Sequence, residues 1–326
     1  MTARQRIGRR ALLAMPAALA APRLARAQGW PERPVRMLMG FPPGGPTDIV
    51  GRLIASGLQE AIGQPVVFEN RPGANSVLAA EVVARAAPDG YTLLFASNSL
   101  VMNASVYARL PYDPVTSFAP IGLVATSPNV FWCGTGQPWR TLDEVVAAAK
   151  ANPGQLGYAS TGNGGNGHFG GETLRQALGI DITHVPYRGT APALQDVLAG
   201  RVPLMLQTLV GAIGPYRADQ LRPLVVFGPQ RAPELPDVPT LAELGHDVAD
   251  SGVWFGVLAP HGAPAPIVQR VSDALAALLQ RADTRERLAT QASIPAFAGP
   301  DAFATRIRDD VGRWAEVARR AGMRPE

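Results

Sequence analysis

The chain is 326 residues long, 47% hydrophobic and 17% charged, which excludes intrinsic disorder and suits about two globular domains. Its formal charge of +4 invites a polyanion partner, but Arg4, Arg6, Arg9, Arg10, Arg23 and Arg26 all precede Gln28, with no acid among them. Taking those six from the 30 Lys+Arg leaves 24 against 26 Asp+Glu, a net −2, so the charge gives no support to a polyanion partner and no nucleic acid is expected.

The basic start, the apolar stretch at 11–21 and the triplet Ala25-Arg26-Ala27 form the pattern of a cleaved signal peptide over residues 1–27. Arg9-Arg10 ahead of Ala11-Leu12-Leu13 fits either the twin-arginine or the general secretory route, and both lead out of the cytoplasm. That stretch is shorter than the roughly 20 residues of a membrane span, and no later stretch is long and apolar enough. The leader holds no Cys for lipidation. We therefore expect a soluble periplasmic protein beginning near Gln28, with no membrane insertion. Cys133 is the only cysteine and is expected to be a buried, inert thiol. His168, His184, His246 and His261 are too dispersed to place a metal site or a Cys/His nucleophile.

Residues 35–48, VRMLMGFPPGGPTD, read as strand, tight loop and helix. Such a loop aims backbone N–H groups and a helix dipole at one spot beyond the strand, an anion site that needs no catalytic side chain. Ile49, Val50, Leu53, Ile54, Leu58 and Ile62 share one helical face, and Gly63 ends the helix. A buried strand at 65–69, a loop at 70–75, a helix at 76–87 and a strand at 92–96 with the polar exit Ser97-Asn98-Ser99 follow. Three such repeats predict a parallel sheet, with the loops at 41–48, 71–76 and 97–99 on its ligand-binding edge.

Residues 118–133 form a long β-like run broken only at Ser127-Pro128, read as a crossing between two domains. The capping box Thr141-Leu-Asp-Glu144 opens a helix that Asn152-Pro-Gly154 closes. A second alternation follows, with strands at 156–160, 183–187 and 202–208 and helices at 168–178 and 191–199. A return crossing at 224–227, a strand at 253–259 and helices at 266–280 and 300–321 complete the chain. The fold class expected is α/β: two lobes with a cleft between them and two crossing segments, as in a hinged binding protein. The domain division is 28–127 and 227–326 for the first lobe and 128–226 for the second.

Thr161-Gly-Asn-Gly-Gly-Asn-Gly-His168 has the outline of a dinucleotide fingerprint. The required acid should end the next strand, whereas Asp181 precedes it, so no nucleotide cofactor is expected. What remains is a second glycine-rich helix N-terminus suited to an anion. His168 is read either as a capping or packing residue or as a ligand-facing donor. His184 is assigned to structure, and Trp254-Phe255 to core rather than cleft wall. No Gly-x-Ser-x-Gly elbow, His-Glu-x-x-His or P-loop is present, so no catalytic residue, metal or cofactor is assigned.

In order, FPPGGPTD (41–48), GQPVVFENRPGA (63–74), APDGYTLLFAS (87–97), LPYDP (110–114), YASTGNG (158–164) with His168, ITHVPYRG (182–189), APALQDVLAG (191–200), LPDVPT (235–240) and WFGVLAP (254–260) resemble the Bug (Bordetella uptake gene) family. These are the substrate-binding proteins of tripartite tricarboxylate transporters. The resemblance covers the whole expected mature chain and implies a type II periplasmic binding fold with a small organic carboxylate between the lobes. The implied ligand-binding residues are Phe41, Pro43, Gly44, Gly45, Thr47 and Asp48 of the first loop, and Ser97 and Asn98 at the third strand's exit. In the second lobe they are Thr161, Gly162, Asn163, Gly164, Gly165, His168 and Gln207. Delivery to cognate membrane permease subunits by a monomer is also implied. Pro203 and Gln207 stand where relatives often carry acids, and Gln207 bears on ligand identity. A ligand-sensing subunit for a signalling receptor, or an enzyme on the same scaffold, are the alternatives left open.

Overall fold

The computed structural model describes residues 29–246 and 252–323. The expected signal peptide at 1–27 lies outside the described residues.

The chain from Pro31 onward builds two sheets. The first has the order β11-β4-β10-β3-β1-β2. β1 (Val35–Met39), β2 (Val66–Asn70) and β3 (Thr92–Ser97) run parallel, with Val35 opposite Val66 and Met37 opposite Leu93. Four of the five β1 side chains are buried, as expected for a parallel strand covered on both faces. β4 (Phe118–Ser127) then carries the chain past Pro128 into β5 (Asn129–Gly134) of the second sheet. The second sheet orders β7-β6-β8-β5-β9. In it β6 (Gly157–Ser160), β7 (Thr183–Pro186) and β8 (Leu204–Thr208) are parallel, while β9 (Leu221–Phe227) is antiparallel to β5.

The parallel sheet expected from the three strand-helix repeats is present in β1, β2 and β3, and three further strands extend it. β10 (Val253–Pro260) arrives from the second sheet and inserts antiparallel between β3 and β4, and β11 (Ile294–Ala298) pairs antiparallel with β4. A strand entering from the opposite side of the molecule has to run against the strand by which the chain left. β9, expected as the return crossing, lies wholly in the second sheet, and the chain changes sheet after it.

α1 (Pro46–Ile62) has Pro at its first position and a left-handed Gly63 at φ 73° beyond its end. α2 (Val77–Ala84) and α3 (Ser99–Val106) follow β2 and β3. α3 was not legible as a helix, because Ser99 through Asn103 are all buried and show no polar face. α4 (Leu142–Ala151) opens on the predicted capping box, with both reciprocal bonds made. α5 (Asn166–Leu178), α6 (Thr190–Leu198) and α7 (Leu209–Arg217) follow β6, β7 and β8. α8 (Ala265–Gln280) packs on α1 and β4, and α10 (Pro300–Arg320) on α3 and β4. Between them α9 (Ala282–Thr290) and β11 went unpredicted: the helix is mostly polar, and the strand is short, with Pro295 inside it.

Trp254 and Phe255 are fully buried, and Trp254 Nε1 donates to Asp310 Oδ2 at 2.9 Å while its ring meets Phe303 edge-on. Both are core, as expected. Cys133 is buried and unbridged, and burial raises its thiol pKa to about 11, consistent with an inert side chain.

Candidate functional site

The two sheets repeat one plan. Reading β2-β1-β3-β10-β4 beside β7-β6-β8-β5-β9, each sheet has three parallel strands and then one antiparallel strand that arrived from the other sheet. The loops leaving β1, β2 and β3 therefore have counterparts in those leaving β6, β7 and β8. Residues from all six line a single cavity of about 100 Å³, beyond the carboxyl ends of the parallel strands.

The equivalence reaches individual dihedrals. Gly44 is left-handed at φ 81° and Gly164 at φ 65°. The glycines that follow, Gly45 (φ −83°, ψ 171°) and Gly165 (φ −86°, ψ 172°), are the N-caps of α1 and α5. Gly44 N–H donates to Asp48 Oδ2 at 3.0 Å, and Gly164 N–H donates to His168 Nδ1 at 3.1 Å. Both acceptors sit in the first helical turn, four residues after the donor.

Five helix N-caps line the cavity: Gly45, Asn98, Gly165, Gly189 and Thr208. None makes a side-chain capping bond. In α7 the first two N–H groups are instead taken by Pro128 O at 2.9 Å and Ser127 Oγ at 3.2 Å. The other four termini present positive dipole ends without a capping oxygen, each equivalent to roughly half a charge. Among the described residues no Asp or Glu lines the cavity, and Arg188 is the one charged side chain that does.

Of the residues expected at the site, the structure brings Phe41, Pro43, Gly45, Thr47, Ser97, Asn98, Thr161, Gly165 and Gln207 to the cavity wall. Gly44, Asp48, Gly162, Asn163, Gly164 and His168 do not line it. Asp48 and His168 face their own loops to hold Gly44 and Gly164. Asp48 also accepts from Asn70 Nδ2 at 2.8 Å and pairs with Arg52. Burial opposes its ionisation, but the bonds from Arg52, Gly44 and Asn70 together outweigh it and lower its pKa. Gly162 and Asn163 line a neighbouring cavity on the outer side. Gln207 spends its amide locally: Oε1 accepts from Thr208 N at 2.8 Å and Nε2 donates to Thr190 Oγ1 at 3.2 Å.

Sequence reasoning placed the 71–76 loop on the ligand-binding edge without singling out Asn75, and passed over Asn166, Thr208 and the whole 188–192 loop. The strand-end rule used for the first sheet would have found the loop and Thr208 if it had been applied to the second. Asn75 sits in a 3₁₀ turn, Ala74–Ser76, where three successive non-glycine residues are left-handed at φ 47°, 50° and 75°. Each costs roughly 1–2 kcal/mol in isolation. Asn75 Nδ2 donates to Asn103 Oδ1 at 2.8 Å and across the cleft to Gly164 O at 2.9 Å, and Asn103 Nδ2 returns a bond to Asn75 O at 3.0 Å. A second bridge runs from Asn98 Nδ2 to Asn166 Oδ1 at 3.0 Å. Asn98 Oδ1 is buried without a donor.

Beneath the glycine-rich loop His168 and His184 stack with ring centroids 4.0 Å apart, and His184 Nε2 lies 2.6 Å from Ser160 Oγ. Burial, then the Arg175 charge, lowers the His168 pKa to about 4; burial, then His168, lowers that of His184 to about 3. Among the described residues no cluster of three His, Cys, Asp or Glu could hold a metal, and no helix is long and apolar enough to cross a membrane.

Two α/β halves whose strand ends converge on one anion-favouring cavity define the class of periplasmic binding proteins. Residues 50–323 match the family model of TctC, the tripartite tricarboxylate transporter family receptor, and the chain belongs to that family. Protein BugT of Bordetella pertussis is 34% identical over 94% of this chain and 94% of its own length. The solved structure of the periplasmic binding protein BugD superposes with a TM-score of 0.85 at 34% identity, covering 91% of this chain and 100% of that one. R. palustris Rpa4515 with adipate superposes at 0.87, also at 34% identity, over 91% of this chain and 100% of its own.

Proposed function

We propose that this protein captures a small organic carboxylate in the cavity between its two lobes, in the periplasm, and delivers it to the membrane permease of a tripartite tricarboxylate-type transporter. The observation that carries the reading is the convergence of uncapped helix N-termini on a cavity that no acidic side chain of the described residues lines. A carboxylate is stabilised there by backbone donors and dipoles without a buried counter-ion. The adipate bound to Rpa4515 supports this ligand class. The lobes are 28–127 with 227–326, and 128–226, hinged where the chain changes sheet beside Pro128 and beyond Phe227. The leader at 1–27 is removed on export, with Gln28 as the first mature residue, and the protein works as a monomer without chemistry of its own. Among the described residues the cavity wall carries no nucleophile with an attached base.

Native mass spectrometry of protein taken from its own periplasm, followed by calorimetry with the acid so identified, tests the reading. A bound carboxylate that raises the melting temperature and compacts the particle in solution scattering is the expected result. Retention of a cation or a sugar, with no response to any carboxylate, would refute it.

A further inference from the structure

The inner cavity opens beside a larger one of about 650 Å³. The two share Phe41, Pro42, Asn75, Thr161, Arg188 and Gly189 as a common wall. The outer cavity adds the rings of Tyr107 and Tyr187, and among the described residues no Asp or Glu lines it. Of the described residues, Arg188 is thus the only charged side chain on either wall. It is exposed and forms no ion pair among the described residues, whereas nearby acids are committed: Asp196 accepts from the Tyr187 hydroxyl at 2.6 Å and pairs with Arg201. The loop that carries Arg188 is held against the opposite lobe at Gly189, which is left-handed at φ 110°. A β-carbon there would already lie 3.4 Å from Pro42 Cγ.

Resting on the carboxylate reading above, we infer that Arg188 is a specificity-determining residue. The first carboxylate of the ligand occupies the inner cavity among the helix N-termini, the ligand body passes the shared wall between Phe41 and Thr161, and a second anionic group meets Arg188 in the outer cavity. The inner cavity supplies partial charges fixed in the backbone, while the outer one supplies a full charge on a flexible stem. Their division of labour selects dianions over monoanions of equal length.

Calorimetric titration of straight-chain α,ω-dicarboxylates of four to eight carbons, each against the monocarboxylate of matching length, tests this on the wild type, Arg188→Gln and Arg188→Lys. Because Arg188 is exposed and unpaired, all three should melt alike. The best diacid should bind the wild type more tightly than its monoacid by about fivefold, the upper range of a solvent-accessible ion pair. Arg188→Gln should weaken the diacid by about fivefold and the monoacid by less, so that the ratio collapses, Arg188→Lys should keep part of it, and added salt should shrink the ratio in the wild type and in Arg188→Lys. A ratio that survives Arg188→Gln, or equal weakening of both acids by it, overturns the inference while leaving the carboxylate reading standing. If no carboxylate binds the wild type, the underlying reading fails, and this one with it.

Discussion

Asp48 and His168 are the residues whose roles change most once their neighbours are known. Each stands in the first turn of a helix entered through two glycines, and each turns back to accept the N–H of the first glycine rather than reaching a ligand. The glycines divide accordingly. Gly164 is left-handed at φ 65°, and a β-carbon on it would lie 2.5 Å from Val106 Cγ2, so Gly164→Ala should destabilise the protein by about 1–3 kcal/mol in thermal or denaturant melts. Gly165 is extended, lines the cavity and has room for a methyl group, its nearest contact being Asn75 Oδ1 at 3.5 Å. Gly165→Ala should melt within about 0.5 kcal/mol of the wild type yet bind its carboxylate at least about tenfold more weakly by calorimetry. Equal affinity would remove this wall from the binding surface. With Asp48 engaged by Gly44, Asn70 and Arg52, no acid on the cavity wall among the described residues is left for a ligand ammonium group, so succinate should bind better than aspartate. Tighter binding of aspartate in the same titration would require an acid outside the cavity wall as its partner.

At the scale of elements, the glycine-rich loop between β6 and α5 depends on neutral imidazoles. His168 Nδ1 must be unprotonated to accept from Gly164, and burial, then the Arg175 charge, disfavours a proton on it. Glu172, the nearby acid, is already occupied by Arg175 at 2.7 Å and by the Tyr158 hydroxyl at 3.2 Å. The folded-state pKa values, about 4 and about 3, lie below the ordinary 6.5, so the unfolded chain takes up protons first as pH falls. Stability from this pair is therefore complete above about pH 6.5 and is lost progressively as pH falls toward 4 and then 3. In His168→Asn the amide oxygen can still accept from Gly164 but does not titrate. Its melting temperature should fall less steeply than that of the wild type between pH 6.5 and 4.5, and parallel curves would show that the loop does not sense this histidine.

At the scale of the molecule, two sheets of the same internal order meet at a cleft bridged by Asn75 to Gly164 and by Asn98 to Asn166. If closure is the working motion, ligand at a hundredfold excess over Kd should add about 2.7 kcal/mol of stability and compact the particle. Asn75→Gly keeps the left-handed turn but removes one bridge, and Asn98→Ala removes the other. Together they should enlarge the ligand-free particle in solution scattering and weaken binding. An unchanged radius with and without ligand, in both proteins, would rule out a hinge.

Most of the elements, their order and the loops on the first-lobe side of the cavity were legible in the sequence, because apolar periodicity, capping boxes and glycine-proline punctuation are local signals that neighbouring residues impose on one another. The motifs in their order were also enough for the family resemblance. What only the tertiary structure decided was non-local. β10 lies antiparallel because its chain returns from another sheet, and the 188–192 loop joins the cavity because β7 occupies in its sheet the place that β2 occupies in the other. The direction of a side chain at a helix start was equally hidden. Asp48 and His168 could point to ligand or to loop with the same local sequence, and the left-handed glycine that places an N–H within their reach settles the choice. Arg188 stood inside a recognised motif without a role, since a lone exposed arginine gains meaning only when the folded chain leaves it, among the described residues, as the sole charge on a cavity wall.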